Sequence, residues 1–231
     1  MAHGSWLIVT LAALMPHVIW DWNGTLFDDH HVVVEAVNAS LEHFGVARID
    51  STVYRREFVR PLQVFYARLL GRDVDSELMQ QIDDIFQEAY RREFASASLT
   101  GDAAEAIGMV GGAGVSQSIA SMLWHDMLVS AVTQFGLDEH MLALDGHRGA
   151  VGETKELHLA GHVEHLESMY PSLRRTAMVV IGDITDDAVA ARGAGVGCVL
   201  YDGGSQEREA LEAEGFPVAS SLVEAVAFAL G

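Results

Sequence analysis

Short apolar runs alternate with segments of helical periodicity along much of this chain. The apolar run 17–20 ends at Asp21 and leads into Asn23-Gly24-Thr25, a pattern typical of a buried strand that stops at a turn. Beyond residue 100, strands are predicted at 118–121, 141–144, 177–181 and 198–201, and helices at 126–135, 153–166, 186–192, 206–214 and 222–230. Repeated strand–helix units predict an α/β fold with a parallel, doubly wound sheet, whose functional groups lie at the carboxyl ends of the strands.

The segment between residues 31 and 100 has a different pattern. Its apolar positions recur at helical spacing in three stripes, interrupted by Gly45, Pro61 and Gly71, which predicts about four helices. We therefore divide the chain into a core formed by 15–30 and 101–231, a helical cap formed by 31–100, and an N-terminal extension formed by 1–14. The apolar run 6–15 is too short to cross a bilayer and lacks the basic start of a secretory signal. We interpret residues 1–14 as accessory, with Met15 as an alternative start of translation.

The net charge of the chain limits the classes of partner that it is expected to bind. The 231 residues include 33 acidic and 14 basic side chains, which gives a formal net charge of −19. Such a chain should repel nucleic acid and anionic membranes, because binding to phosphate backbones draws on basic patches. The single cysteine, Cys198, forms no intrachain disulfide and suits the reducing cytoplasm. The oligomeric state stays open.

Four chemically distinctive features follow predicted strands or begin predicted helices. In chain order they are Asp21-Trp22-Asn23-Gly24-Thr25, Ser121, Lys155, and Gly182-Asp183-Ile184-Thr185-Asp186-Asp187. Taken singly, each has an ordinary structural explanation, since Asp and Ser are common in turns and helix caps. Lys155 stands out because it is the only lysine, whereas the other 13 basic residues are arginines. A compact ammonium group at that position indicates a function that the guanidinium fork does not serve.

The order and spacing of these four features resemble the haloacid dehalogenase-like hydrolases, and within them the branch that resembles phosphoglycolate phosphatase. That family has Asp-x-Asp-Gly-Thr, then a Ser or Thr that ends a strand, then a Lys, and then Gly-Asp-x-x-x-Asp, with a helical cap between the first two motifs. The resemblance covers the chain from about Met15 to the C-terminus. It implies a phosphatase that acts on a small phosphorylated metabolite and uses Mg²⁺.

The resemblance also implies roles for individual residues. Asp21 would attack phosphorus to give an aspartyl-phosphate, and Lys155 would balance charge on the nucleophile and the phosphate. The residues implied as Mg²⁺ ligands are Asp21, Asn23 through its backbone carbonyl, Asp183 and Asp187, with Asp186 as an alternative to Asp187. Ser121 and Thr25 are the implied phosphate contacts.

Asn23 departs from the family pattern. Family phosphatases carry a second Asp at this position, which protonates the leaving group and then activates water, and an amide cannot do either. General acid–base catalysis contributes about 10²- to 10⁴-fold, so we expect a slow phosphatase or one suited to leaving groups that need little protonation. His30, His31 or a substrate group are candidate substitutes.

Other groups support weaker hypotheses. Arg56 and Arg60, near Arg55, are candidate contacts for a substrate phosphate or carboxylate, although a solvated helix face explains the same pattern. The histidines at 158, 162 and 165 share one predicted helix face, which we interpret as polar or partly buried rather than as a metal site. Two alternative functions stay open: a non-catalytic domain that binds phosphate or metal, and a hydrolase of the dehalogenase or phosphonatase type.

Overall fold

The computed structural model describes residues 15–149 and 153–231, and the N-terminal extension 1–14 therefore lies outside the described residues. The strands in chain order are β1 (Met15–Trp20), β2 (Phe27–Asp28), β3 (Ser98–Leu99), β4 (Ser116–Trp124), β5 (Leu144–His147), β6 (Leu173–Gly182), β7 (Gly197–Tyr201) and β8 (Val218–Ala219). The helices are α1 (His30–His43), α2 (Ser51–Glu57), α3 (Leu62–Leu70), α4 (Ser76–Glu93), α5 (Ala103–Gly112), α6 (His125–Gln134), α7 (Lys155–Met169), α8 (Thr185–Ala194), α9 (Arg208–Glu212) and α10 (Leu222–Leu230). Two short 3₁₀ helices cover Phe94–Ser96 and Asp138–His140.

Six of the strands form one parallel sheet in the order β5-β4-β1-β6-β7-β8. Alternate side chains of the central strand β1 enter different cores: Val18 and Trp20 pack with α5, α6 and α10, whereas Ile19 packs with α7 and α8. Both faces of the sheet are therefore covered, as a parallel sheet with apolar strands requires. The predicted α/β fold with a doubly wound parallel sheet is confirmed.

The chain leaves this sheet after β1 and returns before β4. Between these points, helices α1 to α4 form the helical segment that the periodicity predicts, and they enclose a core of their own around Leu41, Phe65 and Ile82. The antiparallel pair β2–β3, with Phe27 opposite Leu99, joins the two connecting segments. This short ladder fixes where α1 begins and where the chain re-enters the sheet, although the division into core and cap stays a prediction.

The structure changes several predicted boundaries. The strand predicted at 141–144 is wrong in position, because β5 covers Leu144–His147 and Met141 follows a 3₁₀ turn. This edge strand contains the polar side chains Asp145 and His147, so it has no apolar run from which a strand could be predicted. The predicted scheme also lacks α5, whose sequence Ala-Ala-Glu-Ala-Ile-Gly-Met-Val-Gly-Gly is rich in glycine yet buries Ala106, Ile107 and Val110. No helix in the described part of the chain is both long and apolar enough to cross a membrane.

Candidate active site

Asp21 lies directly beyond the carboxyl end of β1, where its backbone N–H donates to the carbonyl of Ile181 at 2.9 Å. Its side chain is almost completely buried. Oδ1 accepts from the Lys155 ammonium at 2.7 Å, and Oδ2 lies 3.3 Å from the Thr25 hydroxyl. Burial raises the pKa of Asp21 to about 8, with Asp187 and Asp183 adding to the effect and Lys155 opposing it. The carboxylate is therefore held in one orientation but needs positive charge beside it to stay ionised.

Lys155 supplies part of that charge. It is the first residue of α7, which begins there because the Thr154 side chain accepts from the backbone N–H of Leu157. Its ammonium bridges Asp21 Oδ1 at 2.7 Å and Asp187 Oδ1 at 2.6 Å. Burial lowers the pKa of Lys155, but the two carboxylates outweigh burial and the net pKa lies above its usual range. The lysine is therefore a fixed cation.

Asp183 and Asp187 complete an acidic group beyond the end of β6. Asp187 Oδ2 accepts the backbone N–H groups of Asp183 and Ile184, both at 3.1 Å, which ties the first turn of α8 to the strand. Asp183 Oδ2 accepts the Ser205 N–H at 2.7 Å. Burial, together with the Asp187 charge, raises the pKa of Asp183 to about 7. Both carboxylates are thus positioned by backbone groups.

Gly24 allows the first and fourth motifs to meet. Its φ is +75°, in the left-handed region that favours glycine, and a Cβ there would lie 2.3 Å from Asp183 Oδ2. Any side chain at this position would therefore displace the Asp183 carboxylate. The glycine is needed both for the turn and for the close approach of the two acids.

Asn23 faces the other side of the site. Its Nδ2 donates to Asp29 Oδ2 and to the Tyr90 hydroxyl, each at 2.8 Å, and Tyr90 donates to the same Asp29 oxygen at 2.6 Å. Asp29 Oδ1 also accepts the Gly24 N–H at 3.0 Å. Burial raises the pKa of Asp29, and these hydrogen bonds act in the opposite direction. Asn23 is thus held between Asp29, which directly precedes α1, and Tyr90 on α4.

A cavity of about 660 Å³ opens onto these groups. Asp21, Asn23, Ser121, Lys155 and Asp183 line one part of it, and side chains of α1 to α4 line the other. Its volume lies within the range of small-molecule sites, about 300–1,000 Å³. The arrangement gives a bound molecule access to the buried carboxylate and ammonium groups.

The acidic group also has the chemistry of a divalent-cation site. Asp21, Asp183 and Asp187 each offer an oxygen within 4.8 Å of the others, and all three are buried. Oxygen ligands from a few carboxylates suit Mg²⁺, which keeps several waters. Three buried carboxylates against the one ammonium of Lys155 leave excess negative charge that a divalent cation would balance. The residues present therefore fit the ion.

Comparison with known proteins shows the family of the chain. The family model for haloacid dehalogenase-like hydrolases matches residues 18–201. The chain belongs to this hydrolase family. No curated protein sequence matches it.

Solved structures share the fold of this haloacid dehalogenase-like chain. A predicted phosphatase from Clostridium acetobutylicum is 18% identical and has a TM-score of 0.79, with 93% of this chain and 98% of that chain covered. A haloacid dehalogenase-like family hydrolase from Streptococcus pneumoniae is 16% identical with a TM-score of 0.76 over 93% and 98%. A predicted phosphoglycolate phosphatase from Haemophilus somnus is 14% identical with a TM-score of 0.72 over 91% and 96%.

The predicted phosphate contacts of this hydrolase differ in whether they line the cavity. Ser121 and Arg60 line the cavity, and Arg60 also pairs with Asp186 at 3.3 Å. Thr25 is completely buried behind the carboxylates, where it donates towards Asp21 and Asp183. Among the described residues that line the cavity there is no Arg56, which pairs with its neighbour Glu57 at an exposed position.

The two candidate substitutes for the missing acid also lie elsewhere. His30 contacts Ser51 at 2.6 Å and stacks edge-on against Tyr54, whereas His31 contacts Ser96 at 3.2 Å. Neither histidine is among the described residues that line the cavity. Asp29 and Tyr90 are not among the residues predicted from the sequence. The available signal for Asp29 was a carboxylate directly before α1, close to the first motif, but nothing in the pattern pointed to Tyr90.

Proposed function

We propose that this protein is a Mg²⁺-dependent phosphatase that acts on a small phosphorylated metabolite through an aspartyl-phosphate on Asp21. The observation that carries the proposal is the Lys155 ammonium, which bridges Asp21 and Asp187 at 2.7 and 2.6 Å on the wall of an open cavity. Phosphoryl transfer needs an aligned nucleophile and neutralised phosphate oxygens more than other machinery. This group of side chains offers both.

In this proposal, Asp21 attacks phosphorus with the carboxylate oxygen that is not held by Lys155. The Thr25 hydroxyl lies 3.3 Å from that oxygen and helps to orient it. Lys155 and Ser121, which line the same cavity, hold the phosphate oxygens. Water then cleaves the aspartyl-phosphate and restores the carboxylate.

Mg²⁺ would be held by Asp21, Asp183 and the backbone carbonyl of Asn23, and when bound it would neutralise phosphate charge. Asp187 already receives Lys155 on one oxygen and two backbone N–H groups on the other. We therefore assign Asp187 the role of positioning Lys155 and Asp183 rather than of binding the ion directly. A cation beside Asp21 would also favour the ionised form that the attack requires.

The proposed enzyme is slow towards substrates whose leaving group must be protonated. Asn23 cannot carry a proton, and its two amide hydrogens point at Asp29 and Tyr90. The absence of general acid–base catalysis costs about 10²- to 10⁴-fold in rate. We also propose that 31–100 acts as a cap that chooses the substrate and 15–30 with 101–231 as the catalytic core.

A phosphate-release assay over a panel of phosphorylated metabolites, with acetyl phosphate included, tests this function. We expect release that needs Mg²⁺ and falls to background in Asp21→Asn, which keeps the size of the side chain. No release from any compound would favour the non-catalytic alternative. Chloride release from a haloacid, or phosphate from a phosphonate, would favour the dehalogenase or phosphonatase alternative.

A further inference from the structure

The cap side of the cavity has an aromatic wall beside a group of polar side chains, Arg60, Gln80, Asp83, Asp84, Gln87 and Arg91. Six rings contribute to its wall: Tyr54, Phe58, Phe65, Tyr66, Phe86 and Tyr90. Tyr54 stacks on Phe58 with ring centroids 5.2 Å apart, and Phe58 meets Phe65 edge-on at 5.6 Å. On α4, Phe86 stacks on Tyr90 at 5.8 Å. Because these rings pack against each other, this part of the wall is already formed and suits a flat apolar group.

The leaving group of a substrate would meet this wall. In phosphoryl transfer the leaving oxygen lies roughly in line with the nucleophile, on the far side of phosphorus. Asp21 lies at the sheet end of the cavity and the rings belong to the cap. A phosphate attacked by Asp21 therefore directs its leaving group towards the aromatic cap.

Asn23 and Tyr90, on the cap side of the nucleophile, offer that leaving group no proton. Asn23 directs one amide hydrogen to Asp29 and the other to Tyr90, and the Tyr90 hydroxyl hydrogen points to Asp29. Asp29 receives a third donor, the Gly24 N–H. His147 is the one histidine among the described residues that line the cavity, and its Nδ1 contacts Glu153 at 2.6 Å. With no hydrogen left on Asn23 or Tyr90, the proposal takes the leaving oxygen to depart as an anion. A phenol has a pKa of about 10, whereas an aliphatic alcohol is nearly as weak an acid as water, whose pKa is about 15.7.

We propose that the substrate is an aryl phosphate, in which the phosphate ester oxygen is bonded directly to an aromatic ring. This inference rests on the proposed phosphatase function. The Asp21–phosphorus bond forms as the phosphorus–oxygen bond to the ring breaks, and the phenolate leaves with the electron pair and takes its proton from solvent. Water then attacks the aspartyl-phosphate, which releases inorganic phosphate and a proton and regenerates Asp21.

Three substrates test this assignment on the full chain with Mg²⁺: phenyl phosphate, benzyl phosphate and acetyl phosphate. Phenyl and benzyl phosphate differ by one methylene, so both present a ring, but only phenyl phosphate releases a phenolate. Acetyl phosphate has a good leaving group without a ring. We expect kcat/KM for phenyl phosphate to exceed that for benzyl phosphate by at least about 10²-fold, the lower range of general acid catalysis.

The ring wall is tested by Phe58→Leu, which should lower the ratio of kcat/KM for phenyl phosphate to that for acetyl phosphate. The matched control is Phe228→Leu at an exposed position of α10, which should leave this ratio unchanged. Equal kcat/KM for benzyl and phenyl phosphate, with acetyl phosphate hydrolysed, would overturn the aryl assignment and leave the phosphatase function standing. No phosphate release from any of the three would overturn both.

Discussion

The two sides of Asp21 differ in how their polar groups are used. On one side, Lys155, Asp183 and Asp187 form a charged group with its ammonium shared between two carboxylates. On the other side, Asn23 donates to Asp29 and to the Tyr90 hydroxyl, and Tyr90 donates to Asp29. The first side is suited to holding a phosphate and orienting the nucleophile. On the second side, Asn23 and Tyr90 have no hydrogen left for a leaving group. We therefore expect changes on the first side to affect the attack on phosphorus, and changes on the second side to affect protonation of the leaving group.

The largest effect is expected from removal of the ammonium on the Lys155 side of Asp21. Lys155→Met should lower kcat/KM for acetyl phosphate by about 10²- to 10³-fold, comparable with the loss of one fixed donor that stabilises transition-state charge. Acetyl phosphate isolates this effect because acetate needs no proton to leave. Steady-state kinetics with Mg²⁺ check it, with circular dichroism to confirm folding. A folded Lys155→Met variant with unchanged kcat/KM would show that the ammonium takes no part.

The second largest effect is expected from a change on the Asn23 side of Asp21. Exchanging the amide and the carboxylate in the double variant Asn23→Asp/Asp29→Asn keeps a donor opposite an acceptor and places an ionisable group beside the leaving oxygen. We expect kcat/KM for benzyl phosphate to rise about 10²-fold, because general acid catalysis becomes available.

Two single variants are the controls for that exchange. Asn23→Asp alone would set two carboxyl groups about as close as the present 2.8 Å contact, where they must share a proton, and should lower the melting temperature. Asp29→Asn alone should bring no gain with benzyl phosphate. If the double variant stays as slow as the wild type, proton supply does not limit the reaction.

A smaller effect concerns the second half of the reaction. Because Asn23 cannot activate water, we expect the aspartyl-phosphate to form from phenyl phosphate faster than it is cleaved. Stopped-flow measurement should then show an early burst of phenol approaching one equivalent per enzyme, followed by slower turnover. A linear time course from the first turnover would place the slow step before the intermediate.

The smallest effect is expected from Tyr90→Phe. The change removes the hydrogen bond to Asp29 and the one that Tyr90 accepts from Asn23, which should lower the free energy of unfolding by about 2 kcal/mol. The ratio of kcat/KM for phenyl to benzyl phosphate should stay within about threefold of the wild type, since Tyr90 directs its hydrogen to Asp29. Denaturant titration and the same two assays check both numbers. A large rise in this ratio would identify Tyr90 as a proton donor to benzyl phosphate.

The amino-acid sequence predicts the sheet and the grouping of Asp21 with Asp183 well, and the contacts of Asn23 poorly. Apolar runs mark β1 and β6, and parallel strands bring their carboxyl ends to one edge, so Asp21 and Asp183 could be expected together. The contact between Asn23 and Tyr90 joins residues 67 positions apart and depends on how α4 packs beside α1. Neither periodicity nor motif spacing contains that information.

The histidine face of α7 shows the same limit. Its position on one helix face follows from spacing, and His158 and His162 are buried as a partly buried face suggested. The partner of His162 depends on the register of the sheet instead. His162 contacts Ser118 on β4 at 2.8 Å, and the same serine contacts His17 on β1. A polar chain across three elements cannot be inferred from any one of them.

The most direct test of the central claim is a search for phosphate on Asp21 itself. The protein would be mixed with phenyl phosphate and Mg²⁺, quenched in acid during the first turnover, and digested for mass spectrometry. We predict one phosphoryl group on the peptide that contains Asp21 and none in Asp21→Asn. Phosphate release without a modified Asp21 peptide, at a rate that Asp21→Asn retains, would contradict the account.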